Sequence, residues 1–214
     1  MTYPPYPPSW RRVDDHGALI SLVRAHPFAN LVTAHSGLRS TRIPFVVDVE
    51  EGRPVRLRAH LNAQNPQAPD LDGQEALVTF AGRSSYVSPN WRTNIDRAGT
   101  VDYEEVQIEG VVRIREDFDF FVKLINDLAA LFEPQYPDVS DYPDWNTTMA
   151  PPGYMERLFP GIRAFELNIK SARMISKLHQ SFSEEDRVSI ANHLDRSDKE
   201  DAREIAKKIR ATLS

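Results

Sequence analysis

The 214-residue chain contains no cysteine, which excludes a disulfide framework, a thiolate metal site and a cysteine nucleophile. Its six histidines are His16, His26, His35, His60, His179 and His193. No pair among them has the i, i+4 or short-loop spacing of a zinc motif, so a metal site made of protein groups alone is not expected. A Gly-x-Ser-x-Gly elbow, a P-loop and a Gly-x-Gly-x-x-Gly turn are also missing, which leaves hydrolase, NTPase and Rossmann readings without a motif. No apolar run approaches the roughly 20 residues that span a bilayer, and residues 1–8 lack the basic-then-apolar order of a signal peptide. No membrane association and a cytoplasmic location are therefore expected. Excess basic charge is absent too: 26 Lys and Arg face 31 Asp and Glu, a net charge of −5, and composition gives nucleic-acid binding no support.

What is present is a chain with 41% hydrophobic residues, enough for one substantial core. One domain over 1–214 is the economical division, with a proline-rich arm at 1–12, a helix at 13–26, a barrel with inserted helices over 28–178 and a helical tail at 183–214. Leu19, Ile20, Leu22 and Val23 follow helical spacing and Pro27 ends that helix. From 28 to 114 the texture changes to short β-type runs at 31–33, 43–47, 55–57, 76–80 and 106–114, punctuated by Gly37, Gly52, Gly73 and Gly99. Many short strands in under a hundred residues indicate a barrel or sandwich. Phe118, Phe121, Leu124, Leu128 and Leu131 define an amphipathic helix over 118–132. A long loop rich in Pro, Asp and Tyr follows over 133–152, then a short helix at 154–158 and strands at 162–169 and 173–178. The charged tail reads as two solvated helices broken near Ser197 and Asp198.

Three stretches carry candidate chemistry. In Arg39-Ser40-Thr41-Arg42-Ile43-Pro44, hydroxyls alternate with guanidinium groups on a strand; they suit phosphate or carboxylate, or are simply exposed strand residues. Over 58–67 a strand ends at His60 and enters an amide-rich turn with Asn62, Gln64, Asn65 and Pro66. His60 there either meets a ligand or satisfies a local hydrogen bond. The third, Gly82-Arg83-Ser84-Ser85-Tyr86-Val87-Ser88-Pro89-Asn90-Trp91, sets Ser88 and two aromatics beside a turn. Tyr86 and Trp91 suit a flat heteroaromatic ligand, or belong to the core or a dimer contact. Glu104 and Glu105 are adjacent, so on a strand they point to opposite faces, and both are expected at the surface.

In order, these stretches resemble the PaiB-like family, often called FMN-binding negative transcriptional regulators, whose fold is the flavin-binding split barrel. The resemblance rests on Leu22-Val23-Arg24-Ala25-His26-Pro27-Phe28-Ala29-Asn30-Leu31, Thr41-Arg42-Ile43-Pro44, Ala59-His60-Leu61-Asn62-Ala63-Gln64-Asn65-Pro66-Gln67 and Tyr86-Val87-Ser88-Pro89-Asn90-Trp91, and continues in Gly161-Ile162-Arg163 and Lys177-Leu178-His179-Gln180. It implies a mainly β fold with flanking helices (α+β), a split β-barrel of the FMN-binding type with a helical C-terminal tail. It also implies a homodimer with cofactor sites lined by both subunits. The family is similar in part to haem-dependent piperazate synthases, which close N5-hydroxyornithine into a ring through an N–N bond. His60 matches the position of the axial iron ligand there. The chain departs from the family pattern at Arg42, Ala68, Arg83, Asp102 and His179.

The resemblance implies haem b or FMN as cofactor. A haem-dependent cyclase would use His60 on the iron, oriented by a partner at its other ring nitrogen, with Arg42 or Arg83 on the substrate carboxylate and Glu105 or Glu109 as base. The alternatives are an FMN-binding transcriptional regulator and an FMN-dependent reductase of a small molecule. For FMN, Arg39, Ser40 and Thr41 would lie near the phosphate, with Asn62, Asn65, Tyr86, Ser88 and Trp91 around the cofactor.

Overall fold

The computed structural model describes residues 8–93, 95, 97–136 and 141–213, the side chain of Trp10 apart. Most of the proline-rich arm expected at 1–12 thus lies outside the described residues. The arm's end forms a 3₁₀ turn at Ser9–Arg11 and strand β1 (Arg12–Val13). Helix α1 (His16–Ala25) buries Leu19, Ile20, Leu22 and Val23, the residues whose spacing marked it. Strands β2 (Phe28–Thr33), β3 (Arg39–Pro44), β4 (Val46–Glu50), β5 (Arg53–Asn62), β6 (Glu75–Val87) and β7 (Thr100–Ile114) follow. Next come α2 (Phe118–Phe132), α3 (Tyr154–Leu158), β8 (Ile162–Lys177), α4 (Glu184–Asp195) and α5 (Glu200–Ala211). The eight-stranded sheet runs β3-β2-β6-β7-β8-β5-β4, and β1 pairs with β8. No helix among the described residues is long and apolar enough to cross a membrane.

The contacts divide the chain into two compact units. The sheet unit comprises His16–Phe80 and Gln107–Ala172; the tail unit comprises residues up to Asp15 with Ala81–Val106 and Arg173–Ser214. In the sheet unit Phe45 meets Phe80 and Phe165 edge-on, with ring centroids 5.7 and 6.3 Å apart, the geometry favoured by the ring quadrupoles. Helix α2 starts where Asp117 accepts hydrogen bonds from the Asp119 and Phe120 amides. It buries Leu124 and Leu128 against Ala164.

In the tail unit, Ile190 and Leu194 of α4 and Ile205 and Ile209 of α5 share one core with Val87 and Leu178. The tail expected as a solvated face therefore has a buried side. Its charges are the outer half of a packed helix pair.

Several strands differ from the sequence reading. The run at 43–47 is two strands, because Phe45 leaves the ladder and its amide donates to the Pro27 carbonyl. The runs at 162–169 and 173–178 are one strand: Arg56 faces Asn168 and Val13 faces Met174, so pairing resumes on either side of an exposed polar stretch. Strands β6 and β7 likewise extend beyond their apolar cores. Glu104, expected at the surface, is buried, with Lys208 Nζ 2.7 Å from its carboxylate and Ser176 Oγ at 3.3 Å.

Gly110 on β7 lies so close to β8 that an added Cβ would overlap the Asn168 carbonyl oxygen and the Leu167 side chain. Gly110→Ala is expected to lower the urea midpoint by an amount worth about 1–3 kcal/mol, the usual cost of overpacking. Gly161→Ala, where an added Cβ meets nothing within 4 Å, should leave the midpoint within about 0.5 kcal/mol.

Candidate functional site

Side chains alternate across β5, so Arg58 and His60 share one side of the strand. Arg58 is 6% exposed and faces two carboxylates. Its Nε lies 2.9 Å from Asp48 Oδ2, its Nη2 2.8 Å from Asp48 Oδ1 and its Nη1 2.7 Å from Asp127 Oδ2. Burial works to raise the Asp48 pKa, but hydrogen bonds and charge from Arg58 and Arg56 outweigh it and hold the carboxyl below its usual range. Such a buried guanidinium is tolerable only because two carboxylates face it.

His60 has no such compensation. It sits opposite Ala164 of β8, and its Nδ1 is buried with no hydrogen-bond partner. The partner expected at that nitrogen is not found among the described residues. Burial lowers the His60 pKa from its usual value, which favours the neutral ring.

Beyond Asn62 the chain makes two successive side-chain turns: Asn62 Oδ1 accepts from the Gln64 amide at 2.8 Å and Asn65 Oδ1 from the Gln67 amide at 2.9 Å. Asn65 Nδ2 donates to Thr41 Oγ1 at 3.1 Å, and Thr41 Oγ1 donates to Gln67 Oε1 at 2.5 Å. Buried Gln67 then donates to Thr33 Oγ1 at 2.9 Å. This network joins the first two candidate stretches. Thr41 is consumed by it, whereas Arg39 and Ser40 stand exposed on β3, the last strand of the sheet order. Arg42 is also exposed and lies 4.8 Å from the Phe28 ring centroid.

The third stretch belongs to the tail unit. Tyr86 is exposed and packs on Gly99, where any Cβ would overlap its ring. Ser88 accepts from the Asn90 amide at 3.2 Å and caps a 3₁₀ turn. Trp91 stacks on His193, with centroids 5.5 Å apart and planes 7° from parallel, against the α4–α5 core. Arg83 donates to Asp201 at 2.5 Å and to Glu200 at 3.1 Å. Glu105 is half-buried on β7 in the tail unit; Glu109 is exposed on the same strand in the sheet unit.

Sequence reasoning passed over one pair. His179 Nδ1 lies 2.6 Å from Asp102 Oδ2, and both side chains are buried. Asp102 and Glu104 alternate with buried Val106 and Ile108, so the period-2 pattern of β7 already pointed both carboxylates inward. Among the described residues no three His, Asp or Glu side chains gather as a metal site.

A profile described as "Putative FMN-binding domain" matches residues 6–171. The chain belongs to this family. The Bacillus subtilis (strain 168) protease synthase and sporulation protein PAI 2 is 22% identical over 204 residues, covering 94% of each chain, so the family member is PaiB-like. Two solved structures share the fold. The flavocytochrome Anf3 from Azotobacter vinelandii has a TM-score of 0.60 at 15% identity, over 78% of this chain and 70% of that one. The FAD and haem binding protein from Mycobacterium smegmatis has a TM-score of 0.57 at 14% identity, over 78% and 73%. The expected split-barrel fold with flanking helices is the fold of this family member.

The half-buried His60 imidazole has a pH signature. Because the folded His60 pKa lies below the unfolded value, the unfolded chain binds the extra proton in the window between the two. Stability therefore rises with pH through that window, and the loss is complete once pH falls below the folded value. Urea midpoints measured from pH 8 to pH 5 should fall more steeply for the natural protein than for His60→Gln, which has no proton to take up.

Proposed function

We propose that this family member is a haem-dependent enzyme in which His60 is the protein ligand to the iron. The observation that supports it is the half-buried His60 imidazole itself, its pKa lowered by burial and its buried Nδ1 without a hydrogen-bond partner, two residues from an arginine that faces two carboxylates. A neutral imidazole is the form that ligates iron. The residues present thus fit the group. The solved relatives that carry haem beside a flavin make the same scaffold chemically suited to it.

The reaction class we infer is closure of an N-hydroxylated diamino acid, N5-hydroxyornithine, into a cyclic hydrazine. Bound iron would supply the Lewis acidity that weakens the N–O bond. The α-amine lone pair forms the N–N bond as the N–O bond breaks, and the hydroxyl leaves with the amine proton as water, so no external oxidant or reductant is needed. Arg83 is occupied by Asp201 and Glu200, which leaves exposed Arg42 for the substrate carboxylate. Glu109, in the sheet unit with Arg42 and His60, takes the amine proton and passes it to the departing hydroxide, in preference to Glu105 of the tail unit. Exposed Phe28, Leu38 and Tyr86 suit coverage by a second copy, and a homodimer is part of the proposal.

The family description itself supports a second reading, FMN as cofactor, with exposed Arg39 and Ser40 on β3 as its phosphate donors. A transcriptional-regulator role draws less support, since Lys207, Lys208 and Arg210 are paired with Glu204, Glu104 and Asp195.

Absorption spectroscopy of the purified protein titrated with haem separates the two cofactors. A sharp Soret band is expected, and His60→Ala should weaken haem binding by more than about 100-fold, beyond the 10–100-fold effect of outer residues. A flavin spectrum with no haem uptake, or a Soret band unchanged in His60→Ala, would contradict the proposal.

A further inference from the structure

The tail unit contains a cavity of about 290 Å³ whose lining includes Arg11, Arg92, Arg97, Lys177, His179 and Phe182. Among the described residues no acidic side chain lines it. In a chain of net charge −5, four basic side chains around one small cavity run against the composition. Asp186 lies within electrostatic reach of Arg92 and Asp102 pairs with His179, yet neither carboxylate lines the cavity, and a cationic lining suits an anionic ligand.

Phe182 organises the group. The guanidinium carbons of Arg92 and Arg97 lie 5.2 and 5.1 Å from its ring centroid, and the His179 ring is 4.6 Å from it. Cation–π contact holds the arginines without consuming their N–H donors. Arg92 Nη2 donates to the Arg97 and Ala98 carbonyls at 2.8 and 3.1 Å, which shapes the segment that brings Arg97 to the cavity. Lys177 Nζ is held by the Thr100 hydroxyl and by the Val101 carbonyl, the latter at 2.7 Å.

Two buried polar atoms of this group have no partner. Arg92 is 6% exposed and its Nε makes no hydrogen bond; His179 is 3% exposed and its Nε2 makes none. The Asp102 carboxylate accepts from His179 Nδ1, which fixes the ring and leaves Nε2 as the nitrogen available to a ligand. His179 is also held at φ +58°, a backbone conformation costly for a non-glycine residue. Leaving buried donors and acceptors unmet destabilises the fold unless a ligand meets them.

We propose that this cavity is a phosphate-binding site, taking inorganic phosphate or the phosphate of a small phosphomonoester. A carboxylate is satisfied by one guanidinium, whereas four basic side chains match a group with three terminal oxygens and up to two charges. A phosphate offers both a hydroxyl donor and oxygen acceptors, so it can meet Nε2 of His179 in either role. The site is built wholly from the tail unit and does not rest on the haem assignment at His60.

Isothermal titration of the full chain with inorganic phosphate, against sodium chloride at equal ionic strength, tests the site. Saturable binding of one phosphate per chain is expected. Arg97→Ala, at an exposed position that folding tolerates, and Lys177→Ala should each weaken it about tenfold or more. His60→Ala should bind phosphate as the natural chain does, so loss of haem and loss of phosphate are separate results. Displacement of phosphate by FMN but not by riboflavin would assign the group to the flavin. Binding of FMN without displacement would assign it to another phosphorylated ligand. No saturable heat beyond the chloride control, or unchanged affinity in both variants, would overturn the site.

Discussion

A guanidinium buried in a sheet must bring its counter-charges with it, and the sheet unit is arranged around that demand at Arg58. Strand β4 supplies Asp48 and helix α2 supplies Asp127, so one cation fixes β4, β5 and α2 together. Removing either carboxylate would leave an uncompensated buried charge. Two residues along the same side of β5, the protein leaves His60 with an unpaired nitrogen. The contrast gives His60 its meaning, because the same strand shows that partners are within the fold's reach. Burial of that nitrogen without a partner favours the neutral imidazole, at a cost that a ligand can offset.

Much of this was legible in the sequence where a local period decides the outcome. Helix α2 begins and ends where the spacing of Phe121, Leu124 and Leu128 placed it, with Asp117 as its cap. The strand Arg39–Pro44 and the amide turn after Asn62 were also readable, since Asn side chains close turns on their own neighbours. The long strands were not. Asn168 to Arg173 is polar because it is exposed, so the apolar pattern lapses while the backbone pairing on either side of it continues. Partners distant in sequence were equally hidden. Nothing near Arg83 announces Asp201, and nothing near Lys208 announces Glu104.

The residues that departed from the family pattern divide accordingly. Arg83 is explained by packing, as a tether to α5. Asp102 and His179 explain each other: a carboxylate with no exposed surface is matched by a ring nitrogen at 2.6 Å. Arg42 remains exposed and donates a long hydrogen bond of 3.4 Å to the Phe28 carbonyl. Arg83 is a structural accommodation, the Asp102–His179 pair sets one ring at the tail-unit cavity, and the exposed Arg42 guanidinium is the departure left for chemistry in the sheet unit. Trp91 shows the opposite lesson, since an aromatic that suits a flat ligand is here stacked on His193 in the α4–α5 core.

The central claim is that His60 is kept neutral and unpartnered so that it can ligate iron. Nitrogen-15 NMR of the histidine rings, recorded before and after one equivalent of haem, tests it most directly. The ring assigned to His60 should be neutral at pH 7.5 in the cofactor-free protein and should take up its proton at lower pH than a free imidazole, and its nitrogen resonances should shift or broaden beyond detection when haem is added. A His60 ring that titrates at or above the free value, or whose resonances are unmoved by haem, would contradict it.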